Sequence, residues 1–473
     1  MKKRWLECLM VLTMILCLLS GCGTKDTVTE EQTADLPVTF ENMMQTWKKD
    51  NNNSVTTCWY TDMADQRWLA QKASDFEKEY GIKVELVYYD GAQLFEDINQ
   101  ANQNQSGPDM YIMGNDRLEF AVTGGLVEEN SAFDDKFWKD NYPEVSKKAF
   151  NYKGKQYGYP IYFDTYCLVY DSKLLENAPA SIDDILAFLD EYEDTGSTKA
   201  VFRWDVADPY INSMFIAAYA DIFGENGDDI KSFSVNGEQE VKAMEYFQSL
   251  SEYLWMDKTN ISHDTVMNRI KEGTLVLGLC KSDILPVLYE MNNDNKTADG
   301  DSAPENETGN NVSEGAENAE SAEDAGSTDD AGNNADVESD DAGNDTDYKV
   351  AYVPSLTAEL SSACYSTTYG AFINPYGNNT AAGNMFALYL AFEDQARQYM
   401  GNGKMPVINQ KYHFDDKQTI LYAQYQNSKP VPKTMLLGEY LMESGNTFDA
   451  IWEGANAKEE LDKLQGVMEK KMK

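Results

Sequence analysis

Apolar and polar residues along this chain follow two periods, and turn residues mark where one gives way to the other. Residues 55–60 read as a strand. Leu69, Ala73, Phe76 and Tyr80 then recur at helical spacing, and Gly81 stops the helix. Ile82, Val84, Leu86 and Tyr88 alternate with Lys83, Glu85 and Val87, which predicts a second strand. A helix over about 94–103 follows, and Pro108 opens a short apolar strand over 110–113. Strand, helix, strand, helix, strand predicts a mostly parallel sheet covered by helices. Further on, Lys153-Gly154 reads as a turn and residues 167–170 as a strand. Ser181 to Asp184 reads as a capping box ahead of Ile185, Leu186 and Leu189. Helical patterns cover about 211–223 and 241–254, and 275–279 is a buried-type strand. Strands over 350–353 and 369–373 and helices near 381–392 and 459–472 complete an α/β layout without a visible repeat.

The first residues break this pattern. Lys2, Lys3 and Arg4 precede an apolar run over 9–19, too short to span a bilayer and suited to a signal peptide. It ends in Leu19-Ser20-Gly21-Cys22, which resembles the lipobox of bacterial lipoproteins. That resemblance implies cleavage of residues 1–21, a lipid on Cys22, a flexible tether over 22–53, and a mature protein at the extracellular face of the cell membrane. One acyl chain binds a membrane only marginally, whereas two hold a protein there.

Charge changes the picture in one place. The formal net charge is -41, and residues 291–347 hold 18 Asp or Glu against one Lys, with no Phe, Trp or Tyr. Such a stretch buries too little apolar surface to offset its chain entropy and is expected to be a disordered acidic insert. It lacks the regular acidic spacing of an EF-hand loop. The overall acidity argues against nucleic acid and anionic membrane surfaces as partners. The many Tyr and Trp rings suit carbohydrate outside a cell, and they also suit an ordinary core. Cys58, Cys167, Cys280 and Cys364 could pair in three ways, but their apolar neighbours favour free thiols. Two histidines, with no Cys/His spacing for zinc and no Gly-rich phosphate loop, give no metal or cofactor motif.

Five ordered blocks carry a family resemblance. They are Phe76-Glu77-Lys78-Glu79-Tyr80-Gly81-Ile82-Lys83-Val84; Gly107-Pro108-Asp109-Met110 with Asn115-Asp116-Arg117 and Gly125-Leu126; Gly154-Lys155 with Tyr159-Pro160-Ile161 and Asp164; Asp208-Pro209-Tyr210; and Gly370-Ala371-Phe372-Ile373-Asn374. The chain resembles the family 1 extracellular solute-binding proteins of the maltose/maltodextrin-binding type. The resemblance implies a periplasmic-binding-protein-like type II fold, two α/β lobes with a crossover hinge. One lobe would take 54–162 with 354–400; the other would take 165–348 with 403–473 and carry the insert. It implies a monomeric capture subunit, not an enzyme, that delivers a sugar or oligosaccharide to an ABC permease. The same fold could instead bind a polyamine, peptide or anion, or act as a ligand sensor.

The same resemblance implies the site residues. Asp116 and Arg117 match an Asp-Arg sugar-binding pair; their alternative is a helix cap with a surface ion pair. Asp164 falls at a hinge-proximal acid, and Asp208 and Tyr210 at an acid and a stacking tyrosine. Asp62, Tyr60 and Tyr440 are further candidates. A carboxylate accepts from two sugar hydroxyls at once, and Arg donates in a planar fork, so acids here serve as acceptors. Three tryptophans of the maltose binders are absent: Met113 stands at one position, Lys281-Ser282-Asp283 near the second and Leu437-Gly438-Glu439-Tyr440 near the third. The aromatic platform for a glucan chain is thus largely missing.

Overall fold

The computed structural model describes residues 54–193, 199–256, 258–298, 346–392, 403–408 and 414–473. The expected signal peptide, Cys22, the tether and residues 299–345 of the acidic insert lie outside them.

Two sheets organise the chain. The first has seven strands and runs Met405–Pro406, Tyr159–Asp164, Tyr365–Ile373, Met110–Gly114, Val55–Tyr60, Lys83–Tyr88, with Lys429–Pro430 added beside Tyr365. Val55–Tyr60 pairs in parallel with both its neighbours, whereas Tyr365–Ile373 returns antiparallel between Met110–Gly114 and Tyr159–Asp164. The second sheet has four strands, in the order Tyr348–Ala351, Tyr166–Asp171, Leu275–Lys281, Ala200–Arg203.

Local sequence explains much of this. Helix Gln66–Tyr80 buries Leu69, Ala73, Phe76 and Tyr80, and Phe76 packs 5.1 Å from Tyr389 of helix Thr380–Phe392. Gly81 closes the helix at φ 70, a left-handed cap that costs glycine little. Ser181 caps Ile182–Glu191 reciprocally with Asp184. In the second lobe, helices Glu238–Tyr253 and Leu437–Trp452 bury Phe247 against Trp452, with centroids 4.9 Å apart.

Three expectations change. The helix anticipated over 211–223 is a short helix Pro209–Asn212, a 3-10 turn Ser213–Phe215 and a strand Asp221–Ile222. Met214, Phe215, Ile216 and Ala217 are buried on all sides, so no solvent face orients a regular helix. Ser213 also donates its hydroxyl to the Pro209 carbonyl at 2.6 Å, a local bond that competes with the helical ladder. The strand over 369–373 starts earlier, at Tyr365. Helix Ile284–Ala298 runs into the first residues of the expected insert, because each residue added to a formed helix gains a hydrogen bond.

The sheets meet at the crossovers. Strand Tyr159–Asp164 passes through Thr165 straight into Tyr166–Asp171. Thr165 is pinned from both sides: its carbonyl accepts from Ser282 N at 2.9 Å, and its hydroxyl accepts from Ser366 at 2.7 Å. Gly403 lies so close to the second lobe that a Cβ there would meet the Asp283 Cα at 2.3 Å, and its φ of +76 excludes most side chains as well. Strand Met405–Pro406 still belongs to the first sheet, at the point where the resemblance implies passage to the other lobe. All four described cysteines are buried and unbridged, although Cys280 and Cys167 face each other across a strand pair.

Candidate functional site

A cavity of about 180 Å³ opens at the crossovers, and both lobes line it. The first lobe contributes Asp116, at the C-terminal end of strand Met110–Gly114, where open α/β sheets place ligands. The turn Asn115–Arg117 is fixed by the buried Asn115 side chain, which donates to Val431 O and accepts from Thr368 N, each at 2.8 Å. Asp116 makes no ion pair with a described residue. Burial pushes its carboxyl upward, and the nearby Arg117 opposes this.

Arg117 does not join Asp116 in this cavity. Its guanidinium donates to the Gly91 carbonyl and lines a separate hollow of about 410 Å³ with Phe95 and Phe120. The expected Asp-Arg pair is therefore split, because consecutive residues of a tight turn point in different directions.

Strand Tyr365–Ile373 supplies the back wall. Tyr365, Thr367 and Tyr369 face the cavity at the two-residue strand period, while Thr368 turns away to Tyr425, 2.7 Å between hydroxyls. Tyr369 stacks on Tyr162, centroids 4.9 Å apart, and the Lys404 ammonium lies 5.3 Å from its ring. Lys404 in turn pairs with Asp62 and, at 2.9 Å, with Asp65. Against the cost of burial, Asp65 and Asp62 raise the Lys404 pKa and keep it charged. Asp62, expected beside the solute, is thus committed to Lys404 and to capping Ala64 N at 2.9 Å.

The second lobe adds Tyr166, Tyr210 and Lys281. Asp208 caps its short helix by accepting from Tyr210 N at 2.8 Å, and it accepts the Tyr166 hydroxyl at 3.3 Å. It acts on the cavity through these two tyrosines. Burial pushes the Tyr210 hydroxyl up, with Asp116 and Asp208 adding to the shift. Lys281 ends strand Leu275–Lys281 and sits 5.9 Å over the Tyr166 ring. At the hinge, Asp164 lines the cavity and accepts from Ser282 Oγ at 2.7 Å. Its pKa is raised by burial; Lys281 opposes and Asp283 reinforces the shift.

Two candidates lie elsewhere. Tyr60 is 3 % exposed and packs 5.7 Å from Tyr88, inside the first sheet. Tyr440 is 1 % exposed, with Phe233 5.9 Å from its ring in the second-lobe core. Both fill apolar layers that the linear pattern could not tell from a cleft wall. Of the expected residues, Asp116, Asp164 and Tyr210 share the cavity directly, and Asp208 does so at one remove. Thr165, Tyr166, Tyr365, Thr367, Tyr369 and Val431 escaped sequence reasoning, although the Tyr-x-Thr-x-Tyr alternation was a readable signal, and Lys281 was noted only as standing near an absent tryptophan. Among the described residues no group of three His, Cys, Asp or Glu could hold a metal ion, and no helix is long and apolar enough to cross a membrane.

Two α/β lobes joined by crossovers, with a polar and aromatic cavity between them, define a two-lobed binding protein of the type II periplasmic-binding fold. The chain belongs to the bacterial extracellular solute-binding proteins, whose family model matches residues 71–315. It is 25% identical over 172 residues to the maltotriose-binding protein of Pyrococcus abyssi, which covers 36% of this chain and 37% of that one. It is 25% identical over 272 residues to a maltooligosaccharide ABC transporter solute-binding lipoprotein of Streptococcus pneumoniae, covering 55% of this chain and 59% of the relative. The chain thus spans well under two thirds of the length of these curated relatives. The fold likeness is broader. An extracellular solute-binding protein of Staphylococcus aureus, solved with maltose, superposes with a TM-score of 0.66 at 20% identity, covering 89% of this chain and 98% of that one.

Proposed function

We propose that the protein is the capture subunit of an ABC importer, anchored by lipid at Cys22 on the extracellular face, and that it binds a sugar and delivers it to a membrane permease. One observation carries this reading: the crossover cavity draws Asp116, Thr367 and Tyr369 from one lobe and Tyr166, Tyr210 and Lys281 from the other. Sugar hydroxyls donate to the carboxylates of Asp116 and Asp164 and accept from Lys281, while sugar C–H faces pack on the tyrosine rings. Because the walls come from both lobes, hinge motion opens the way in and closes it over the solute. The relatives named above are binding proteins, and the acids here serve as hydrogen-bond acceptors, with no role in turnover.

A thermal-shift screen against sugars tests the reading, with an expected affinity of about 1 μM, roughly 8 kcal/mol. A clear hit from a polyamine or peptide, with no sugar stabilising the protein, defeats it. A second reading, a cationic solute, is favoured by the two carboxylates facing one lysine. Cation binding weakens steeply with added salt, whereas sugar binding does not.

A further inference from the structure

We propose that the cavity is a one-ring site, which takes a neutral monosaccharide and excludes both a glucan chain and acidic sugars. This rests on the sugar-capture reading above, and three features of the site support it.

The first is size. About 180 Å³ is available, against roughly 300–1,000 Å³ for sites that enclose drug-sized ligands. The second is the arrangement of the rings. A glucan chain needs aromatic faces in succession along a groove. Here Tyr166, Tyr210, Tyr365 and Tyr369 line a single volume, and no described tryptophan is among its lining residues. Two of these rings are also fixed in place: Tyr369 by its stack on Tyr162, and Tyr166 by its bond to Asp208. They form walls, not a track. The third is the divergence of Asp116 and Arg117. Arg117, the residue after Asp116, has its guanidinium bonded to the Gly91 carbonyl in a different hollow. A longer ligand therefore gains no fork donor there.

Charge sets the second exclusion. Among the described lining residues, Asp116 and Asp164 share the cavity with one cation, Lys281, while Arg117 and Lys404 act on them from outside it. A uronate or phosphosugar would add like charge where water screens it poorly, and repulsion of that kind discriminates as strongly as attraction.

Calorimetric titration of the full-length chain in detergent, against hexoses, their uronates, maltose and maltotetraose, decides the matter. At least one hexose is expected to bind, and both maltotetraose and the matching uronate are expected to bind at least tenfold weaker. If maltotetraose binds within tenfold of the hexose or tighter, or if only oligosaccharides bind, the one-ring proposal falls while sugar capture stands. If the uronate equals its hexose, the charge exclusion falls. If no sugar binds to a protein that melts cooperatively, both readings fall together. Arg117→Ala supplies an independent check. Hexose affinity should stay within twofold, and a tenfold loss would place Arg117 on the solute and overturn the proposal. Tyr210→Ala should weaken the hexose at least tenfold without lowering the melting temperature by more than a few degrees; an unchanged affinity would count against the site itself.

Discussion

Two hollows flank Tyr365, and they are built from opposite materials. The smaller, of about 180 Å³, ends in Asp116, Asp164 and Lys281 among tyrosine rings. The larger, of about 500 Å³, lies between helix Glu144–Ala149, the segment 220–227 and strand Lys429–Pro430. Its polar groups answer one another. Lys148 pairs with Glu225 at 2.6 Å across the lobes. Nearby, the fully buried Lys433 donates to Lys148 O at 2.7 Å and Asn151 O at 2.8 Å on one lobe, and to Asn226 O on the other. Three N–H donors thus meet three carbonyls, which offsets the burial that pushes its pKa down to about 8. Volume alone would choose the larger hollow as the binding site. The chemistry chooses the smaller, because its carboxylates keep acceptor capacity, Asp116 without an ion pair to a described residue and Asp164 with one hydroxyl donor, that a solute can use.

The comparison can be broken at the hinge. Lys433→Met leaves three buried carbonyls without donors and should cost about 2–4 kcal/mol in chemical denaturation. A loss under 1 kcal/mol would mean that water replaces the ammonium and that this hollow is as open to ligands as the other. Asp116→Asn tests the opposite side. Solute affinity should fall about tenfold or more, roughly 1.4 kcal/mol, while stability holds or rises, because a buried charge with no ion-pair partner is removed. A drop in stability without a drop in affinity would assign Asp116 to the scaffold.

Acid should act on the two regions differently. Burial raises the Asp116 and Asp164 pKa values above their ordinary range, so these carboxylates protonate earlier than exposed ones as pH falls. Each group then turns one acceptor oxygen into a donor and loses its charge, and affinity should decline while the fold persists. For stability the sign is opposite. A carboxylate with a raised folded pKa costs stability at neutral pH, and that cost is relieved as pH falls through the folded pKa. Affinity that stays flat until exposed carboxylates also protonate would exclude both groups as acceptors. The smallest effect belongs to the surface. Lys148→Ala removes an ion pair whose Glu225 side chain is 82% exposed, and the denaturation midpoint should not move measurably.

What could be read ahead of the structure divides by range. Helix Gln66–Tyr80 was legible because Leu69, Ala73, Phe76 and Tyr80 define a face and Gly81 ends it, all within one segment. The Ser181–Asp184 box was legible for the same reason. Helix Leu437–Trp452 was not. It escaped because Leu437, Tyr440, Ser444, Thr447, Phe448, Ile451 and Trp452 mix polar with apolar residues on the buried side. Asp116, Asp164 and Tyr210 were reached through blocks of residues that resemble a family, and they do meet in one cavity. Asp62 was misjudged because its partner Lys404 is 342 residues away along the chain.

By itself, then, the sequence determined the alternation of strands and helices, the caps that bound several of them, and a set of acids and tyrosines near strand ends. These depend on neighbours within a few residues, where periodicity and backbone chemistry act directly. Only the tertiary structure decided which side chain of a turn faces the cleft and which faces away, as with Asp116 and Arg117. It also decided that Tyr440 is core while Tyr369 is wall. Such choices follow from the packing of segments hundreds of residues apart, and no local pattern encodes which surfaces will meet.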